Sequence, residues 1–183
     1  MTGAVGQTLP MDILIRPALD SELDAAGHLT AESFIADGHT SRGGTYEPRL
    51  RDGRDRAEHA ELLVAVDPAS GALLGSVTFA PPGSPYADLA RGDEGEFRML
   101  AVAPEARGRG AGEALVRACL ERARELGLRR VVMSTQPSMV PAHRIYERLG
   151  FVRTPERDWS PLPEIPLLTY AVEIEPEAAD QAE

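Results

Sequence analysis

Three glycines interleave with two arginines and an alanine in Arg107-Gly108-Arg109-Gly110-Ala111-Gly112, between an apolar stretch at 97–103 and a helix-patterned one at 113–126. A strand, a glycine-rich elbow and a helix start bring several unpaired backbone N–H groups to one point. They meet at the positive end of a helix dipole worth about half an elementary charge. Such a place binds phosphate. Gly108, Gly110 and Gly112 have no Cβ, so the chain can turn tightly and an anion can approach the main chain. Arg107 and Arg109 bring side-chain charge to the same place. The chemistry points to a pyrophosphate.

Two phosphate motifs fit this run poorly. A Walker loop requires a lysine after its second glycine, and the chain contains no lysine. A dinucleotide fingerprint requires its first glycine beside the strand, a third glycine three places after the second, and an acidic residue ending the next strand. Here Gly110 lies eight residues beyond Val102, Glu113 takes the third glycine's place, and the next strand runs out into Ser134, Thr135 and Gln136. The run resembles instead the Arg/Gln-x-x-Gly-x-Gly/Ala signature of the GCN5-related N-acetyltransferases (GNAT), with Arg107, Gly110 and Gly112 on its three defining positions. The preceding 96–104 segment resembles that family's fourth strand. The segment 142–151, with Tyr146 followed by Gly150 and Phe151, resembles its late helix and the Tyr-x-x-x-Gly-Phe pattern.

The resemblance implies a role for each element. The elbow, from Arg107 through Glu113, would hold the pyrophosphate of acetyl-coenzyme A, a cosubstrate. Leu100, Ala101 and Val102 would lie along the pantetheine arm where the fourth and fifth strands splay, and Ser134 would line the far side. Tyr146 is the candidate general acid: a phenol with a pKa of about 10 stays protonated at neutral pH and can pass its proton to a thiolate. Its alternative is a core tyrosine on an amphipathic helix. Glu96 is the candidate base, six residues before Val102 as in the histone-acetylating branch of the family. Strand alternation predicts Glu96, Arg98, Leu100 and Val102 on one face, with burial raising the carboxyl pKa. The alternative is a strand-edge carboxylate paired with Arg98 or with solvent. Met139 departs from the pattern, standing where many members carry an asparagine that contacts the cofactor. Ser138 and His143 are the nearest polar substitutes. His28, His39 and His59 lack metal-ligand spacing and read as surface or packing residues, so no metal is expected.

By the same resemblance, acceptor specificity resides in 35–56 and 154–163. The cluster Glu156-Arg157-Asp158-Trp159 offers two carboxylates, a guanidinium and an aromatic wall suited to a cationic amine, or else a capped loop packed on the sheet by Trp159. The activity implied is direct acetyl transfer to a primary amine, on a small molecule or a peptide. A non-catalytic module of the same fold that binds acyl-coenzyme A is the runner-up, and a nucleotide-binding regulatory domain a distant third.

The elements that must position these residues follow from pattern. A short strand at 12–17 precedes a helix from Asp20 to Phe34 opened by Asp20 and Ser21. A glycine-bearing loop spans 35–47 and a polar helix 49–60. Strands at 61–66 and 73–80 form a hairpin through Asp67-Pro68-Ala69-Ser70-Gly71. After a Pro/Gly-rich loop come a strand at 94–102, a helix at 110–127 stopped by glycine, a strand at 130–135, a helix at 141–149 and a strand start at 151–153. The proline-rich segment 154–163 reads as loop before a closing strand at 167–174. The order predicts a mixed α/β fold, with one twisted, mostly antiparallel sheet of about seven strands and helices on both faces. The expected limits are a flexible leader at 1–11, one domain at 12–175 and an acidic tail at 176–183.

Composition narrows the partners. A net charge of −10, from 29 acidic and 19 basic residues, argues against nucleic acid, which needs clustered positive charge in excess. The helix residues Glu113, Arg117, Glu121 and Arg124 fall at spacings that ion-pair on a solvated face. The single cysteine, Cys119, excludes an internal disulfide. It shares an apolar stripe with Leu115, Ala123 and Leu126 and reads as a buried thiol. No run approaches a membrane span and no signal-peptide pattern opens the chain, so the expected location is the cytoplasm, with a homodimer left open.

Overall fold

The computed structural model describes residues 13–176. The expected leader, and the acidic tail apart from Pro176, lie outside the described residues. The elements are β1 (Leu14–Pro17), α1 (Leu23–Ala36), α2 (Glu47–Arg51), α3 (Gly53–His59), β2 (Glu61–Val66), β3 (Leu73–Ala80) and β4 (Glu94–Val102). They continue with α4 (Ala111–Glu125), β5 (Arg130–Thr135), α5 (Val140–Arg148), β6 (Val152–Arg153), β7 (Trp159–Leu162) and β8 (Ile165–Glu173). One sheet runs in the order β1-β2-β3-β4-β5-β8-β6, with β7 attached to β8. Every pairing is antiparallel except that of β4 with β5.

Alternation in β2 shows how the two layers form. Leu63 and Ala65 pack with Leu115, Val116 and Cys119 of α4, while Leu62 and Val64 pack with Leu23 and Ala26 of α1. The β2–β3 turn is fixed by the Asp67 carboxylate, which accepts from the Ala69 amide at 2.9 Å, and by Gly71 at φ +74°. Cys119 is buried and its thiol pKa is pushed up by desolvation, as befits a packing residue. The outer face of α4 carries the expected pairs, Arg117 with Glu113 and Arg124 with Glu121. Leu126 departs from the apolar stripe and is 41% exposed, because α4 ends at Glu125 and Gly127 turns left-handed behind it.

β4 is where the structure corrects the expected alternation. Ser76 pairs with Ala101 but Thr78 pairs with Arg98, so β4 holds one residue more than β3 between those pairs. That is a β-bulge. Met99 takes up the extra residue at φ +56°, a left-handed conformation uncommon for a side chain that is not glycine. The bulge reverses the alternation beyond it. Glu96 and Arg98 face the α1 side, whereas Leu100 and Val102 join the core under α4 and α5, and Met99 and Ala101 pack with Phe34 and Leu50. The four residues expected on one face are therefore divided two and two.

Two further elements differ from expectation. The helix expected at 49–60 is broken into α2 and α3 at Asp52, whose carboxylate accepts from the Asp55 amide at 2.9 Å and caps α3. The break lets α1 lie against this segment: a Cβ on Gly27 would stand 2.0 Å from the Arg51 carbonyl oxygen, and one on Gly53 2.2 Å from that of Leu23. The proline-rich loop at 154–163 contains a strand, β7, which pairs with β8 (Trp159 opposite Leu167, Leu162 opposite Ile165). As an outermost strand, β7 tolerates the missing amide of Pro161.

Candidate active site

The elbow lies at the end of β4. Val102 Cγ2 and Ile145 Cδ1 of α5 stand 3.5 and 3.4 Å from where a Cβ on Gly112 would project, so the start of α4 is closely seated between strand and helix. Gly108 and Gly110 adopt φ +81° and +86°, and a Cβ on either would meet nothing within 4 Å. Among the described residues, no hydrogen bond engages the amides of Gly108, Gly110, Ala111, Gly112 or Glu113. This is a cluster of main-chain donors with open space in front of it, a shape that suits an anion such as the diphosphate of a nucleotide coenzyme.

The side chains around the elbow differ from the expectation of free positive charge. Arg107 donates to both carboxylate oxygens of Asp37, at 3.0 and 2.6 Å. Arg109 pairs with Asp67 of the β2–β3 turn at 3.2 Å, and Arg148 pairs with Glu113 at 3.2 Å. Each elbow charge meets an opposite one brought by tertiary packing, which spacing along the chain does not reveal. Attraction for an anion at this point falls to the amides.

β4 and β5 pair only at Glu94 with Arg130, Gly95 with Val131 and Glu96 with Val132. Beyond Glu96 the two strands part, and a cavity of about 650 Å³ opens. Glu96 and Tyr146 both reach its wall, as do Leu100 and Ser134, whereas Ala101 is turned into the core on the α1 side. The Glu96 carboxylate is 1% exposed and accepts from the amides of Leu89 (2.8 Å) and Ala90 (3.2 Å). Burial raises its pKa above the ordinary carboxylate value, and the two amide bonds only partly oppose that rise. Glu96 is not the partner of Arg98, which pairs with Asp88 at 2.9 Å.

Tyr146 is buried among Phe97, Phe151 and Tyr170, with ring centroids 5.8 to 6.0 Å apart. Among the described residues its hydroxyl has no hydrogen-bond partner. Desolvation pushes the phenol pKa up, so it stays protonated throughout the neutral range. The Ser134 hydroxyl accepts from the Trp159 indole N–H at 2.9 Å, tying the end of β5 to β7.

Of the cluster at 156–159, Trp159 alone lines the cavity. Arg157 is bound to Glu94 at 2.9 and 3.0 Å. Asp158 pairs with Arg153 at 2.7 Å, which holds its carboxyl down at about 2. The loop reading therefore describes these two charges. Met139 stands at the N-terminal boundary of α5, receives a contact from the Thr135 hydroxyl at 3.5 Å and lines the cavity. Ser138 lies beside His39 Nδ1 at 3.4 Å, and His143 Nε2 lies near the Thr135 hydroxyl at 3.3 Å and the Gln136 carbonyl at 3.2 Å. His28 and His59 pair with Arg51 and Asp55, but His39 reaches the cavity wall, with burial lowering its pKa. Arg49, Asp88 and Arg98 also line the cavity, and of these Arg49 and Asp88 carry no spacing that marks them in the sequence. Among the described residues no three His, Cys, Asp or Glu side chains group as a metal site.

Residues 27–151 match the sequence model of the acetyltransferase (GNAT) family. The chain belongs to this family. A mycothiol acetyltransferase of Cellulomonas flavigena is 35% identical to this GNAT chain over 151 residues, which are 80% of it and 42% of the relative. The chain thus spans less than half the length of that relative. A GNAT-family acetyltransferase of Staphylococcus aureus Mu50 superposes with a TM-score of 0.70 at 12% identity, covering 90% of this chain and all (100%) of that one. An acetyltransferase of Salmonella typhimurium, solved with its cofactor acetyl-CoA, gives 0.63 at 20% identity, covering 94% and 99%. The two solved structures share the GNAT fold with this chain.

Proposed function

We propose that this chain transfers the acetyl group of acetyl-CoA directly to a primary amine. The observation that carries this reading is the meeting of a buried carboxyl, Glu96, and a buried phenol, Tyr146, in one cavity that opens where β4 and β5 part. The unclaimed amides of the elbow lie at the far end of the same strand. In this reading the amides of Gly108 to Glu113 hold the coenzyme's diphosphate, and Leu100 to Val102, with no strand beside them on the β5 side, lie along its arm. Acetyl-CoA supplies an acetyl group activated as a thioester.

Glu96 takes a proton from the incoming amine. A carboxyl whose pKa is raised by burial is a stronger base than a solvated one. Tyr146 holds its proton at neutral pH and presents it to the departing sulfur. Ser134, fixed by Trp159, forms the opposite wall and keeps that end of the cavity shaped. The relatives' name brings amines of mycothiol chemistry into the set of acceptors to be tried, beside peptide amines.

The test is thiol release from acetyl-CoA over a panel of amines, with thermal unfolding run alongside. Coenzyme at a hundred times its dissociation constant is expected to add about 2.7 kcal/mol of stability. Tyr146→Phe is expected to lower kcat about a hundredfold while leaving that stabilisation in place. Stabilisation by acetyl-CoA with no thiol release from any amine favours an acyl-CoA-binding module instead. Equal rates for variant and parent remove Tyr146 from the chemistry.

A further inference from the structure

We infer that the acceptor is an amine that also carries an anionic group, and that Arg49 holds this group at the mouth of the cavity. The inference rests on the transferase reading and adds to it a class of substrate. Its ground is a contrast between the two arginines of the cavity wall. Arg98 is matched by Asp88 at 2.9 Å and donates to the Tyr86 carbonyl at 3.2 Å. Arg49 has no carboxylate partner among the described residues; its guanidinium lies over the Tyr86 ring, 5.0 Å from the centroid. Two residues on in the same helix, Arg51 takes both Glu32 and Glu47, at 2.5 and 2.7 Å. Arg49 forms no ion pair on an element whose other cation forms two, and the carboxylates of Asp52 and Asp55 stand with it and Tyr86 around a second hollow.

Stacking on a ring fixes a guanidinium without using its N–H groups. Tyr86 is a firm base for this: it is 3% exposed, and its hydroxyl donates to Asp55. The segment that holds Arg49 also sets the candidate base. Tyr86 bears Arg49, Asp88 neutralises Arg98, and the amides of Leu89 and Ala90 fix Glu96. Four residues of one loop thus join an anion-binding donor to a proton acceptor, an arrangement suited to a molecule with an anion at one end and an amine at the other. The remaining acid on the wall, Glu164 at the turn between β7 and β8, forms no ion pair with Arg49 among the described residues. It offers counter-charge to an arriving ammonium group.

The experiment uses matched acceptors: γ-aminobutyrate and its amide, alanyl-alanine and its C-terminal amide, phosphoethanolamine and ethanolamine. Initial rates with acetyl-CoA and calorimetric binding are measured for the parent, Arg49→Gln and Arg49→Lys. The parent is expected to favour at least one anionic member over its neutral partner by about tenfold in KM, the scale of a solvent-accessible charge-assisted contact. Arg49→Gln is expected to abolish that ratio through KM for the acceptor and not through KM for acetyl-CoA, Arg49→Lys to restore part of it, and 0.5 M salt to erode it. A carboxylate-only or phosphate-only preference identifies which anion is read. Acetylation of the neutral members as readily as the anionic ones, or an unchanged ratio in Arg49→Gln, overturns the inference and leaves the transferase reading standing. If no amine is acetylated, the transferase reading fails. Calorimetry then decides: binding of an anionic member that Arg49→Gln abolishes upholds the anion site, and its absence overturns it.

Discussion

Asp37, just beyond the end of α1, grips the Arg107 guanidinium through hydrogen bonds of 2.6 and 3.0 Å across 70 residues of sequence. The arginine at the defining position of the elbow is thereby neutralised, and the charge there comes from main-chain dipoles. Arg107 is 45% exposed and Asp37 32%, so the pair is worth no more than about 1 kcal/mol of stability. Arg107→Met is expected to weaken acetyl-CoA binding by less than about fivefold, the scale of one exposed ionic contact. Titration calorimetry checks this. A loss approaching a hundredfold would assign the diphosphate to the side chain.

Glu96 gives a prediction with two signs. Its pKa is raised in the folded protein, so the fold holds a proton at pH values where the unfolded chain has released it. Stability from this group is present at acid pH and is lost as pH climbs through the raised value. Glu96→Gln is therefore expected to gain in melting temperature relative to the parent as pH rises from 4 to 8. The same variant is expected to lose about a hundredfold or more in kcat. In the parent, the acid limb of kcat/KM is expected to lie above the ordinary carboxylate range, and the limb should vanish in the variant. Thermal scans and pH profiles check the two halves separately. A variant that is inactive but less stable at pH 8 would mark Glu96 as a packing residue.

The seating of α1 on α2 and α3 gives a third. Alanine for glycine inside a helix ordinarily stabilises by about 1 kcal/mol. Gly27→Ala should do the reverse, because its Cβ would press on the Arg51 carbonyl; the expected loss is about 1 to 3 kcal/mol. Denaturant unfolding at constant m-value checks the sign. Neutral or stabilising behaviour would mean that α1 and α2 part easily.

Much of the fold was legible where local signals agree with tertiary demand. The bounds of β2, β3, β4 and β5 follow from hydrophobic runs and turn residues, and α4 lies within a residue or two of its pattern. What escaped depends on partners distant in sequence. Nothing near Met99 announces an extra residue, since the usual glycine of a left-handed bulge is absent there. The break at Asp52 goes with the close seating of α1 on Gly53, and β7 exists because β8 offers it an edge. At the site, the resemblance to the acetyltransferase family brought Glu96, Tyr146 and Ser134 forward, and all three line the cavity. His39 and Arg49 sit on a loop and a five-residue helix whose sequences have no period to read, and only the folded cavity shows them. The neutralisation of Arg107 and Arg109 by Asp37 and Asp67 was hidden for the same reason.

The central claim is that main-chain donors at the start of α4 hold the coenzyme. Amide NMR of the labelled protein, titrated with acetyl-CoA, tests it most directly. The expected result is saturable binding with the largest amide shifts at Gly108 through Glu113, and loss of that binding in Gly110→Val, whose β-branched side chain opposes the left-handed φ of +86° that shapes the elbow. Saturable binding that leaves those amides unmoved, or undiminished binding by Gly110→Val, would contradict it.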